Sequence, residues 1–205
     1  MITLQQDVDV DSRVSYVAVN NYSIASLYGE VLSENLATEK DVMVINGAGM
    51  NDEDTVQMIT SIREYLGESE LDSIPEFTLK KIYEDGTFAT EEYVQSLFKE
   101  NDLAPVVICL DEVSTACFYQ AMIDYNMVGQ IKLFGYYQSD TILTGIKQRV
   151  IQSSVTVDTT SMGIAAVDAY LEYANSGYVS DYISVDAVMI NYDNVEEYIE
   201  EVEDE

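Results

Sequence analysis

The 205-residue sequence contains no histidine and only two cysteines. An ordinary zinc site and a histidine-based catalytic triad both require side chains that are missing here. Catalysis would have to rest on carboxylates, hydroxyls, tyrosines or lysines, and no catalytic constellation of these is visible, so the chain reads as a non-enzyme. Basic residues are scarce as well. Nine Lys and Arg stand against 38 Asp and Glu, for a formal charge of −29, and the nine form no cluster. Such a chain repels phosphate backbones and anionic lipid, which argues against nucleic acid and membrane surfaces as partners. No run of about eighteen apolar residues occurs. The opening "MITLQQDVDV" lacks the basic and apolar regions of an export signal, so the protein is expected either to be cytoplasmic or to have its signal outside this sequence.

Cys109 lies in the apolar "APVVICLD" and Cys117 in the helical-looking "STACFYQAM". Both are expected as small core residues rather than as a disulfide. The acidic "EEYIEEVEDE" at the end reads as a solvated helix end that adds solubility.

What is present is a hydrophobic fraction of 47%, enough for a real core in one large domain or two small ones. Short runs rich in β-branched residues recur at 15–19, 41–45, 77–84, 105–110, 130–136, 153–157 and 183–190. Helical periodicity fills the intervals. In the second helix Val56, Ile59, Ile62 and Leu66 are expected on one buried stripe, behind an acidic first turn. This alternation predicts an α/β fold with a mostly parallel sheet flanked by helices.

Two motifs suggest ligands and fail on inspection. In "VMVINGAGMNDEDT" the glycines Gly47 and Gly49 follow a strand, as in a dinucleotide-binding turn. The third glycine position holds Asp52, however, and Asp52, Glu53 and Asp54 crowd the helix start where a pyrophosphate would sit. No Gly-Lys-Ser/Thr follows either, so no nucleotide cofactor is expected. The run Asp7, Asp9, Asp11 is spaced like the start of a calcium loop. Ser12 replaces the loop's turn glycine and Ala18 its terminal glutamate, so no metal is expected.

The order of the segments resembles the type I periplasmic sugar-binding proteins and the related effector domains of the lactose-repressor type. "VSYVAVNNYSIASLYGEVL" looks like the family's strand ending in Asp-Asn before a helix. "PVVICLDEVSTACFYQAM" is similar to its strand ending in Asn-Asp, and "IKLFGYYQSDTILTGIKQRVIQSSVTVDTTSMGIAAVDAYLEY" to its Gly-x-Asp strand, hinge strand and Met-Gly helix. "VDAVMINYDNVEEY" resembles the closing strand and last helix. The match runs from about Asp7 to Tyr198.

The resemblance implies two lobes joined by three crossing strands, with the early part of the first lobe absent. Residues 1–13 would be the first crossing segment and 14–157 the second, ligand-binding lobe. Residues 158–181 would be a helix that belongs to the first lobe, and 182–205 the closing strand, last helix and acidic tail. It also implies an interlobe site for a small polar ligand such as a carbohydrate. Transferred position by position, the family's Asp-Asn falls on Asn20 and Asn21, its Asn-Asp on Leu110 and Asp111, its Gly-x-Asp on Gly135, Tyr136 and Tyr137, and its hinge glutamine near Val157 and Asp158. Its sugar-clamping arginine has no equivalent, the turn offering Met50, Asn51 and Thr55. The expected ligand-binding residues are therefore Asn20, Asn21, Asn51, Asp111, Tyr136, Tyr137 and Asp158.

The implied role is solute capture for an uptake system outside the cytoplasm, partnered by a membrane permease or a sensor. The other reading is the ligand-sensing domain of a transcriptional regulator or receptor kinase. The helix after the hinge, about Thr160 to Asn175, carries Met162, Val167 and Tyr170 as an apolar stripe. That stripe is expected to need a cover, with a homodimer as the favoured one.

Overall fold

The computed structural model describes residues 1–5, 8–36, 40–48, 51–69 and 73–203. Asp7 of the acidic run, Gly49 and Met50 of the glycine turn, and the last two residues of the tail lie outside the described residues. In chain order the elements are β1 (Ile2–Leu4), β2 (Ser15–Val19), α1 (Asn21–Asn35), β3 (Asp41–Asn46), α2 (Asp52–Glu68), β4 (Glu76–Lys81), α3 (Thr87–Glu100) and β5 (Val106–Cys109). They continue with α4 (Glu112–Asp124), β6 (Lys132–Tyr136), α5 (Asp140–Lys147), β7 (Ile151–Val157), α6 (Thr159–Ser176), β8 (Tyr182–Val185), β9 (Ala187–Asn191) and α7 (Val195–Glu203). Asp9 and Asp11 sit at a single 3-10 turn, Val10–Ser12. Among the described residues no helix is long and apolar enough to cross a membrane.

The chain forms two compact units, residues 1–24 with 157–188 and residues 25–156 with 189–205. Residues 14–24, grouped with the second lobe by resemblance, fall in the smaller unit because β2 pairs in parallel with β1 and β8. There α6 buries Met162 against Val17, Val157 and Val185. The rest of its apolar stripe finds no cover in the unit. Val167 is 58% exposed, and Tyr170 and Leu171 are exposed too, so the helix does not fold over to hide them.

The larger unit is built on a six-stranded sheet in the order β4-β3-β5-β6-β7-β9. Pairing from β4 through β7 is parallel throughout. Strands that are buried on both faces must be apolar along their length, and β5 (Val106–Cys109) is buried at every position. One core cluster joins Ile45, Val107, Cys109, Phe118, Leu133 and Ile142, with the rings of Phe98 and Phe118 5.0 Å apart. Both cysteines are free; Cys109 is buried and Cys117 half-buried.

Two local expectations are corrected. The buried stripe of α2 is Thr55, Met58, Ile62 and Leu66, and Val56 is 54% exposed. At about 100° per residue, Thr55 lies about 20° from Ile62 around the helix and Val56 about 120° away. A threonine wins the buried position because its hydroxyl bonds to the Asn51 carbonyl at 3.1 Å. The run 183–190, expected as one strand, is two. Tyr182–Val185 joins β2 in the small sheet, and Ala187–Asn191 joins the large one, with the break at Asp186.

Candidate functional site

In the large sheet the chain runs from β3 outward to β4, then crosses back past β3 to β5. The connections after β3 and β5 therefore leave in opposite directions. An open α/β sheet forms a crevice at the carboxyl ends of such a strand pair. Two turns border it here.

The turn after β5 carries Asp111, which caps α4. Its Oδ1 accepts from the Ser114 amide at 2.8 Å and its Oδ2 from the Ser114 hydroxyl at 2.5 Å. An aspartate followed at the third position by serine favours this arrangement, because it satisfies an otherwise orphaned helix amide. A carboxylate offers about four acceptor sites, so two remain. The turn after β3 begins with Asn46 and Gly47, both buried. A β-carbon on Gly47 would lie 2.3 Å from Asp111 Oδ2, so only glycine lets the carboxylate sit there.

Asn46 was not singled out by sequence reasoning. It is fully buried at the end of β3, and its Oδ1 has no hydrogen-bond partner among the described residues. Its amide reaches Asp52 Oδ1 at 3.4 Å, and Asp52 in turn is ion-paired with Lys81. This pair holds one of the acids that crowd the start of α2. Asn51 caps α2, accepting from the Glu53 amide at 3.0 Å, and is exposed.

Beside β5 the end of β6 carries Tyr136 and Tyr137. Tyr136 is half-buried, and burial, followed by the neighbouring Tyr137, pushes its phenol pKa up. Tyr137 is 41% exposed. Behind them Tyr28 of α1, fully buried, donates its hydroxyl to the Gly135 carbonyl at 2.8 Å. Burial raises its pKa well above the usual phenol value, with smaller contributions from Tyr136, Cys109 and Asp111. Tyr28 therefore stays a neutral donor. Nothing in its local sequence marks it, since its partner lies in a distant strand.

The remaining expected residues are in the smaller unit. Asn20 caps α1, its Oδ1 accepting from the Tyr22 amide at 2.8 Å, and Asn21 begins that helix; both are exposed. Asp158 caps α6, accepting from the Ser161 amide at 2.9 Å and the Ser161 hydroxyl at 2.5 Å. These bonds lower its pKa below the usual carboxylate range. Of the seven expected residues, Asp111, Asn51, Tyr136 and Tyr137 belong to strand-end turns of the larger unit, and Asn20, Asn21 and Asp158 to the smaller.

No curated protein matches this sequence. Its fold is similar to that of GanP, a glucose-galactose binding protein from Geobacillus stearothermophilus (TM-score 0.75, 14% identity, 94% of this chain and 68% of that one). It is also similar to AraP, an arabinose binding protein from the same organism (TM-score 0.78, 13% identity, 96% of this chain and 69% of that one). A chain of the XylFII–LytSN complex gives a TM-score of 0.73 at 17% identity over 94% of this chain and 67% of that one. At these identities the likeness establishes the fold, an α/β architecture with a mostly parallel sheet flanked by helices. The sequence itself carries the stronger signal, for residues 1–177 match the model of the periplasmic binding protein domain. The chain belongs to the periplasmic binding protein domain family.

Proposed function

We propose that the protein is a non-catalytic solute-binding domain that captures a small polar ligand, of the carbohydrate class, at the carboxyl ends of the strands of its larger sheet. The observation that supports this most is the turn after β5. Asp111 keeps unused acceptor capacity at a strand-pair crevice and sits against Gly47, where a β-carbon would overlap its carboxylate. Asp111 accepts hydrogen bonds from ligand hydroxyls, Asn51 adds an amide, and Tyr137 offers a ring face and a hydroxyl. Asn20, Asn21 and Asp158 are the candidate polar groups of the smaller unit, considered by itself. Structures of similar fold are named for glucose and galactose, arabinose, and ribose, which favours a monosaccharide-sized polyol.

The domain works outside the cytoplasm and reports its occupancy to a membrane partner. A transporter permease is the first reading, since similar structures are named as parts of sugar ABC transporters. A sensor is the second; one structure of similar fold is named as a complex of two proteins, XylFII and LytSN, which favours a protein partner. A regulator that contacts DNA through this domain is disfavoured by the charge of −29. The exposed face of α6 is the surface through which a second copy pairs.

Isothermal titration with D-galactose, L-arabinose and D-ribose, beside native mass spectrometry of protein from its natural host, tests the reading. At least one sugar, or a co-purified polyol, is expected to bind. Asp111→Ala should weaken that binding by about tenfold or more, the loss of a charge-assisted hydrogen bond. Silence in all three titrations together with an adduct-free mass spectrum would refute solute capture by this chain.

A further inference from the structure

Tyr137 has a backbone φ of 81°, a region that a bulky side chain rarely occupies. It directly follows β6, the strand beside β5. Such strain persists only where the surroundings over-determine it, and it concentrates at ligand-contact positions. Here the surroundings are specific. The Tyr137 amide donates to the Val155 carbonyl at 2.8 Å, and its own carbonyl accepts the Ser154 hydroxyl at 2.6 Å. One residue earlier, the Tyr136 amide donates to Thr115 Oγ1 at 3.1 Å. One before that, the Gly135 carbonyl takes the Tyr28 hydroxyl. Ser154, Thr115 and Tyr28 are all fully buried and come from three elements, β7, α4 and α1.

Thr115 ties this strand end to the other turn of the crevice. Its hydroxyl also donates to the Asp111 carbonyl at 2.7 Å, and its methyl lies 2.4 Å from where a β-carbon on Gly135 would stand. A strand end that needed only to stop would not require three buried hydroxyls and a bare glycine. An exposed loop with Gly at position 137 would do so without strain.

We propose that Ser154, supported by Thr115 and Tyr28, is a positioning residue that holds Tyr137 in its strained backbone, so that the Tyr137 ring is presented at the rim as the stacking face that selects the ligand. This rests on the reading of the rim as a solute site. Stacking on a fixed ring discriminates among sugars by which ring face is apolar, and it loses that power if the ring is free to swing. Ser154 itself touches no ligand. Its effect passes entirely through the Tyr137 carbonyl.

The test combines urea unfolding with titration of the same three sugars, using wild type, Tyr137→Gly, Ser154→Ala and the double variant. Tyr137→Gly should unfold at a higher urea midpoint than wild type, because glycine adopts the positive φ without cost, while its sugar binding weakens by about tenfold or more. Ser154→Ala should weaken binding in the Tyr137 protein and cause no further loss in the Tyr137→Gly background. A lower urea midpoint for Tyr137→Gly would show that the position is not strained and would overturn the proposal. So would equal binding losses from Ser154→Ala in both backgrounds, or full-strength binding by Tyr137→Gly. Wild type that binds none of the sugars and carries no co-purified polyol would defeat the site reading and the positioning role with it, whereas wild type that binds while the variants bind equally well defeats the positioning role alone.

Discussion

The carboxylate of Asp111 stands so close to Gly47 that a β-carbon on the glycine would lie 2.3 Å from Oδ2 and 2.7 Å from Cγ. The turns after β3 and β5 are thereby fitted to each other. Gly47→Ala must push the carboxylate off its cap or shift the turn, and is expected to destabilise the protein by about 1–3 kcal/mol. Asp111→Ala alone should lose about 1 kcal/mol as a missing cap. The double variant should be less destabilised than the sum, because the obstructing atoms are gone. Urea midpoints of the four proteins decide it, and simple additivity would show that the clash is not the cause.

Asp158 provides a pH test. Its bonds from the Ser161 hydroxyl and amide favour the carboxylate and depress its folded pKa. The unfolded chain, with an ordinary value of about 3.9, binds the proton first as pH falls, so protonation favours unfolding. The stabilising contribution is therefore full above about pH 5 and is lost as pH falls through the depressed folded pKa. Wild type should exceed Asp158→Asn in urea midpoint near neutrality, and the gap should shrink as pH falls below the ordinary carboxylate value of about 4. A gap that widens in acid would contradict the assignment.

The thiols should be inert in the folded protein. Burial, then the Glu91 and Asp111 carboxylates, pushes Cys117 up to about 11. Burial likewise raises Cys109 well above its usual value. At pH 8 about one Cys117 in a thousand is thiolate. Iodoacetamide should label neither cysteine in native protein within an hour and both in urea; rapid native labelling would show that the α3–α4 face opens.

The outer face of α6 lines, with Met1, Ile2 and Val14, an apolar groove of about 480 Å³ in the smaller unit. Val167→Glu should leave the unfolding free energy of the monomer within about 0.5 kcal/mol, since the side chain is exposed. In sedimentation, the wild type is expected to pair through this face and the variant to remain monomeric. A wild-type monomer indifferent to the substitution would show that the face does not self-associate.

Millimolar NAD, ATP or GTP should produce no thermal shift. The turn after β3 leads into Asp52, Glu53 and Asp54, and of these Asp52 already neutralises Lys81. Stabilisation by any of the three would reveal a phosphate site, because a ligand bound only by the folded state must raise its stability.

The sequence by itself determined the local pieces of this protein. The strand run 41–45 and the β3–α2 turn follow from side-chain period and turn chemistry. So does Asp111 as a candidate cap, since each of these depends on residues only a few positions apart. The order of those pieces was enough to indicate the family. Tertiary structure decided what depends on distant neighbours. It rotated the buried stripe of α2 from Val56 to Thr55, and it split 183–190 between two sheets because different strands offered the edges. It also brought Asp111 onto Gly47 and gathered Tyr28, Thr115 and Ser154 around the end of β6. Steric exclusion and buried hydrogen bonds act between residues far apart in the chain, so a tyrosine pair at a strand end reveals its strain only when the hydroxyls that hold it are in place.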